Sequence, residues 1–168
     1  MIDFLDAAKA PDRSSEVLPE EVFRHWLARE TSRATRYQDF FSVCLIRADC
    51  DGAAAELQEA VSRKIVELLR STDVVGRVQD GTAVLLLHTA AAEGRRVAER
   101  IRTRIENVAF PDGAGRPARR ITLSVGEASF PSDGASDRVL LSRAQAHLLE
   151  AARRGGNQVV LAEDVVAG

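Results

Sequence analysis

At 168 residues the chain is long enough for one compact domain with a core of its own and too short for two. Apolar residues at 45% and charged residues at 29% exclude a disordered chain, and a formal net charge of −2 leaves no overall field drawing it to nucleic acid or an anionic membrane. The only thiols, Cys44 and Cys50, lie too close together to staple a fold and form no CxxC pair, which excludes a disulfide scaffold and leads us to expect a cytoplasmic protein.

In chain order, residues 1–18 read as a flexible leader, with Pro11, Asp12, Arg13, Ser14 and Ser15 and little apolar periodicity. Its opening, Met1 to Asp6, is acidic where a secretory signal needs positive charge, and no apolar run reaches membrane-span length, so neither export nor membrane insertion is expected. The domain is expected over residues 19–168. From Pro19, with Glu20 and Glu21 suited to a helix N-terminus, Val22, Phe23, Trp26, Leu27 and Ala34 predict a helix ending near Arg36. Phe40 to Ile46 is a dense apolar and β-branched run, the pattern of a strand buried on both faces. Ala54, Leu57, Val61, Ile65, Leu68 and Leu69 lay one stripe along a second helix. Val74–Val78 and Thr82–Leu87 flank Gln79-Asp80-Gly81, and Asp-Gly between β-forming runs predicts a hairpin.

Val97, Ile101 and Ile105 mark a third helix, Gly113 to Pro117 a surface turn, and Ile121 to Val125 a strand. Asp137 is the expected cap of a helix carrying Val139, Leu140, Leu141, Ala144, Leu148 and Ala151, stopped by Gly155-Gly156 before a last strand, Gln158 to Leu161. The centre of this order, βαββαβ, predicts an α/β (α+β) domain in which helices pack on a mixed, ferredoxin-like sheet.

Three ordered segments resemble one known family. Arg36-Tyr37 followed by Ser42-Val43-Cys44-Leu45-Ile46 is similar to the Arg-Tyr helix end and first strand of the bacterial GGDEF domains, the diguanylate cyclase family. Ile121 to Gly126 with Ser129-Phe130-Pro131-Ser132-Asp133-Gly134 resembles that family's TxSIGxAxxPxDG stretch, and Arg143-Ala144 through Gly155-Gly156-Asn157-Gln158-Val159 resembles its closing RADxALYxAKxxGRNxV. The resemblance spans roughly residues 20–163 and implies a single nucleotidyl-cyclase-like domain used in signal transduction. It also implies what active members do, which is to join two GTP molecules, one per protomer, with two divalent ions that neutralise the triphosphate and activate the attacking hydroxyl.

The same resemblance implies that this chemistry is lost. The family's first metal-binding Asp falls at Arg47, a cation that would repel magnesium. The signature Gly-Gly-Asp-Glu-Phe falls on Gln79, Asp80, Gly81, Thr82 and Ala83, without its paired glycines and with Thr82 where an acid belongs. Between Arg47 and Arg70 the chain is about nine residues shorter than the family pattern, and the missing piece carries the guanine-reading Asn and Asp. The phosphate-contacting Lys and Arg fall at Ala152 and Gly156, beside Arg153 and Arg154. No cyclase activity, catalytic residue, metal or cofactor is therefore expected.

Arg70-Ser71-Thr72-Asp73 resembles the family's inhibitory RxxD motif, where product cyclic di-GMP docks, and Arg100 falls where a further family arginine completes that site, with Arg77 adding positive potential. Arginine can grip a phosphate bidentately and an aspartate can accept guanine hydrogens, so the trio suits this ligand. A purely structural role is the alternative: Arg70 also suits a helix C-terminus, and Asp73 a turn. The expected function is an inactive signalling domain that receives cyclic di-GMP and acts on a protein partner. The rival reading is a nucleotide-independent interaction scaffold, with homodimerisation among its options. His25, His88 and His147 lie on three elements without ligand spacing. Asp49, Cys50 and Asp51 read as an exposed acidic loop and Arg116, Arg119 and Arg120 as solvated turn charge, while Phe23, Trp26 and Leu27 could dock on their own domain or on a partner.

Overall fold

The computed structural model describes residues 17–51, 55–79, 81–111, 113 and 115–166; most of the expected leader, with Ala54 and Asp80, lies outside the described residues. The expected elements form: α1 (Glu20–Tyr37), β1 (Phe41–Ala48), α2 (Ala55–Glu67), β2 (Val74–Val78), β3 (Gly81–Leu87), α3 (Ala91–Glu106), β6 (Leu123–Phe130), α4 (Asp137–Arg153) and β7 (Gln158–Val160). Three short ones were not expected: β4 (Ala109–Phe110) and β5 (Arg119–Arg120), which pair across the Gly113–Pro117 turn, and α5 (Ala162–Val166). Two residues per strand are too few to leave a periodic signal.

The main sheet runs β2-β3-β1-β6-β7, antiparallel except for the β6–β7 pair. Its first four strands carry the split βαβ order that the sequence predicts. Because side chains alternate across a strand, β1 divides the interior in two. Cys44 and Ile46 join the core under α2 and α3, whereas Phe41, Val43 and Leu45 join the core under α1 and α4. Neither Cys44 nor Cys50 is in a disulfide, and burial pushes the Cys44 thiol up, helped by the charges of Glu127 and Asp73.

Phe23 and Leu27 of α1 are fully buried in the second core, so this helix docks on its own domain. Each contributes roughly 2–3 kcal/mol by burial. Gly76 in β2 makes the contact close, since a Cβ there would lie 2.4 Å from that of Phe23. Leu18, placed by the sequence at the end of the leader, is paired with β2 through Leu18 N–H to Val75 O at 2.9 Å and Arg77 N–H to Leu18 O at 2.7 Å. Trp26 is half-buried, with the Arg29 guanidinium 5.7 Å from its ring centre.

Several boundaries move. The strand expected at Ile121 to Val125 runs instead from Leu123 to Phe130, buried along its whole length, because Ser124, Glu127 and Ser129 find polar partners under cover. The α4 cap is Ser136, whose Oγ accepts from Val139 N–H at 3.2 Å; Asp137 begins the first turn, where its charge suits the helix dipole. Gly155 and Gly156 stop that helix at φ 109° and 76°, a left-handed backbone that favours glycine. Among the described residues no helix is long and apolar enough to cross a membrane.

Candidate functional site

Two places gather the residues that the sequence singles out. The first is a cleft of about 380 Å³ between the β2–β3 hairpin, α1 and α4, lined by Arg47, Gln79, Gly81, Arg24, Arg138 and Gln145 among others. Arg47 lies on the same face of β1 as Leu45 and lines this cleft. Gly81 presses against β1, a Cβ there being only 2.1 Å from Ile46 O. Thr82, next in the strand, turns to the opposite face, where its Oγ1 lies 2.7 Å from Ser62 Oγ of α2. Ala83 is fully buried. The structure thus brings Arg47, Gln79 and Gly81 together at the cleft, turns Thr82 to the opposite face and buries Ala83 in the core beside Leu45.

Asp49, expected in an exposed acidic loop, is tied into the fold. One carboxylate oxygen accepts from Thr122 Oγ1 at 2.7 Å and from Asn157 N–H at 2.8 Å, the other from Ser124 Oγ at 2.5 Å. It fastens the end of β1 to β6 and to the α4–β7 turn. Sequence reasoning missed this because the partners lie more than seventy positions away. Among the described residues no group of three or more His, Cys, Asp or Glu could hold a metal ion, and the three histidines do not converge. His147 instead places Nδ1 2.6 Å from Glu127 O, inside the protein.

The second place is the turn from α2 into β2. Arg70 N–H donates to Asp73 Oδ2 at 3.1 Å, and Asp73 N–H returns a bond to Arg70 O. The Arg70 guanidinium folds back over the end of β3, donating from Nη2 to Leu87 O at 3.2 Å and Thr89 Oγ1 at 2.9 Å. Arg100 of α3 donates to Leu68 O at 2.8 Å, two residues before Arg70. Both arginines are exposed. Asp73 is buried at the same turn, 8% exposed, and its Oδ1 has no hydrogen-bond partner among the described residues. Arg70, Asp73 and Arg100 therefore border one turn, with a buried acceptor beside an exposed cationic rim. Arg77 is exposed on β2.

A second buried acid was not singled out by the sequence. Glu127 of β6 is fully buried, and its Oε2 also lacks a partner. Burial pushes its carboxyl up to about 8, against the pull of the Ser42 and Ser129 hydroxyls and of Arg95. A glutamate amid Gly126, Ala128 and Phe130 in an apolar strand is the signal that could have marked it.

Residues 52–158 match the family model described as "Diguanylate cyclase, GGDEF domain", well over half of the chain. The chain belongs to the GGDEF domain family. The response regulator PleD of Caulobacter vibrioides is 34% identical over 77 residues, 46% of this chain and only 17% of that protein. Among solved structures, this GGDEF domain is similar to that of PA1120 (YfiN or TpbB) from Pseudomonas aeruginosa, with a TM-score of 0.78 and 22% identity over 86% of this chain and 96% of the other. It is similar also to the GGDEF domain of DgcB from Caulobacter crescentus, solved in complex with c-di-GMP, with a TM-score of 0.74 and 20% identity over 88% and 89% of the two chains. The fold and the kinship to diguanylate cyclases are thereby shown.

Proposed function

We propose that this GGDEF domain has lost cyclase chemistry and serves as a cyclic di-GMP receptor whose binding residues are Arg70, Asp73 and Arg100. The first half of this reading rests on Arg47. Joining GTP molecules needs carboxylates that hold divalent cations against a triphosphate. In the cleft Arg47 takes the place of such a ligand, Gly81 has no side chain to offer, Thr82 faces α2, and Asp49 is already engaged by three donors. These residues do not fit a divalent ion, and no catalytic step is assigned to them. Purified protein incubated with GTP and Mg²⁺ or Mn²⁺ is expected to make no cyclic di-GMP; measurable turnover sinks this half.

The receptor half is carried by one observation, the unpartnered Oδ1 of Asp73 beside two exposed arginines at the same turn. A guanine edge offers N–H donors to that acceptor, and the arginines offer forks to phosphate. For the ligand to reach Asp73, Arg70 must leave Leu87 and Thr89, so the ligand-free site is closed. That the DgcB domain of similar fold was solved with c-di-GMP supports the choice of ligand. Calorimetry should give a saturable heat with the wild-type protein, weakened at least about tenfold by Arg70→Ala, as loss of a charge-assisted pair implies. Equal heats from both proteins, or none, remove the receptor role.

A specific observation favours the second reading, an interaction scaffold. Tyr37 and Phe40 are 67% and 44% exposed at the end of α1, an apolar patch where a protein partner or a second copy could sit. Retained self-association or partner binding in a protein that ignores cyclic di-GMP would favour it.

A further inference from the structure

Among the described residues two buried carboxylates, Asp73 and Glu127, have an oxygen without a hydrogen-bond partner, and they lie at opposite ends of one polar seam. From Glu127 the seam runs through Ser129 Oγ, 3.4 Å from Oε1, to Ser42 Oγ, 2.9 Å further on, which donates to Thr89 O at 2.9 Å. Thr89 is fully buried, and its own hydroxyl accepts from Arg70. Arg70 in turn meets Asp73. α3 closes directly over the acid at Gly94, where a Cβ would lie 2.1 Å from Glu127 Oε1 and 2.9 Å from Ser42 Oγ.

We propose that the protonation state of Glu127 controls the seat of Arg70, making the Arg70–Asp73 site pH-sensitive through the hydroxyls of Ser129 and Ser42. The reason is the polarity of the chain, for each hydroxyl has one proton to give. With Glu127 protonated, its O–H can donate to Ser129, Ser129 to Ser42, and Ser42 to Thr89 O. When Glu127 ionises it becomes acceptor-only, and Ser129 must turn toward it. Ser129 Oγ, 2.9 Å from Ser42 Oγ, is then an acceptor that competes with Thr89 O for the one Ser42 proton, so the Ser42–Thr89 bond weakens. A buried carbonyl with a weakened donor costs free energy, and the strain falls on Thr89, whose hydroxyl accepts from Arg70 and donates to Leu87 O. With Thr89 displaced, the guanidinium keeps only Leu87 O and the 3.5 Å contact with Asp73 Oδ2, and its seat over Asp73 loosens.

Charged and titratable groups face Glu127 from α3, β1, α4 and the turn after β6. Arg95 of α3 is held by Glu163 and Asp164 of α5. Asp133 accepts from Ser129 N–H. Cys44 of β1 is kept neutral by burial, and His147 of α4 engages the main-chain oxygen of Glu127. The raised range of Glu127 puts its ionisation near neutrality.

Coupling to ligand rests on the receptor reading, but the switch has its own readout in the ligand-free protein. Nuclear magnetic resonance titration from acid to alkali should move the Thr89 amide and Arg70 Nε signals with the midpoint of the Glu127 carboxyl. Glu127→Gln should abolish both movements, and Ser129→Ala should leave the carboxyl titrating while Thr89 and Arg70 stay still. Signals that never move, or that move unchanged in Ser129→Ala, overturn the proposal. The same proteins titrated with cyclic di-GMP should bind about fivefold more tightly on the alkaline side, and Glu127→Gln should show no such step. A flat or falling wild-type profile overturns the coupling. Absence of binding at every pH sinks the receptor reading and leaves the resonance test to decide the switch.

Discussion

Glu127 is the residue on which the energetics of this domain turn most sharply. Its carboxyl keeps its proton in the fold up to about 8, because burial penalises the charge more than Ser42, Ser129 and Arg95 favour it. The unfolded chain gives up the same proton in the ordinary carboxylate range. As pH rises through the window between the two, the unfolded state is stabilised by ionising while the folded state is not. Stability therefore falls across that window, by something on the order of 4 kcal/mol for this group, and levels off above about 8. Glu127→Gln should remove the slope and be neutral or stabilising at neutral pH, as urea denaturation midpoints at acid, neutral and alkaline pH would show. A variant whose stability keeps the wild-type slope would assign the pH dependence to other groups.

At the scale of elements, α3 depends on the absence of a side chain at Gly94. A methyl group there collides with Glu127 and Ser42, so Gly94→Ala should destabilise by roughly 1–3 kcal/mol through overpacking. In a Glu127→Ala background the same change should cost less, since only the 2.9 Å approach to Ser42 Oγ remains and alanine is the better helix former. A double-mutant cycle measured by denaturation checks it, and additive effects would mean that the two sites do not touch. The α4 cap is simpler: Ser136→Ala should cost about 1 kcal/mol in the same assay, while Asp137→Ala should cost less.

For the whole molecule, Asp49 joins segments that are distant in sequence, linking β1 to β6 and to the turn before β7. Asp49→Ala should lower stability by roughly 3 kcal/mol, since it removes three hydrogen bonds to a charged group. Added Mg²⁺ should leave the wild-type melting temperature unchanged; a rise would show a cation bound at the native site. The order of the main elements, the hairpin of β2 and β3 and the helix stop at Gly155-Gly156 were legible in the chain, because periodicity, turn chemistry and glycine are local properties. So were the family segments, which survive as strings of neighbouring residues. Other features were decided only by tertiary structure: that Thr82 turns away from Arg47, that Asp49 is a latch, that Phe23 and Leu27 dock at home, and that Glu127 reaches Arg70 through two serines. Each depends on which strands lie side by side and which face a residue presents. A sheet ordered β2-β3-β1-β6-β7 brings together residues that no local pattern connects.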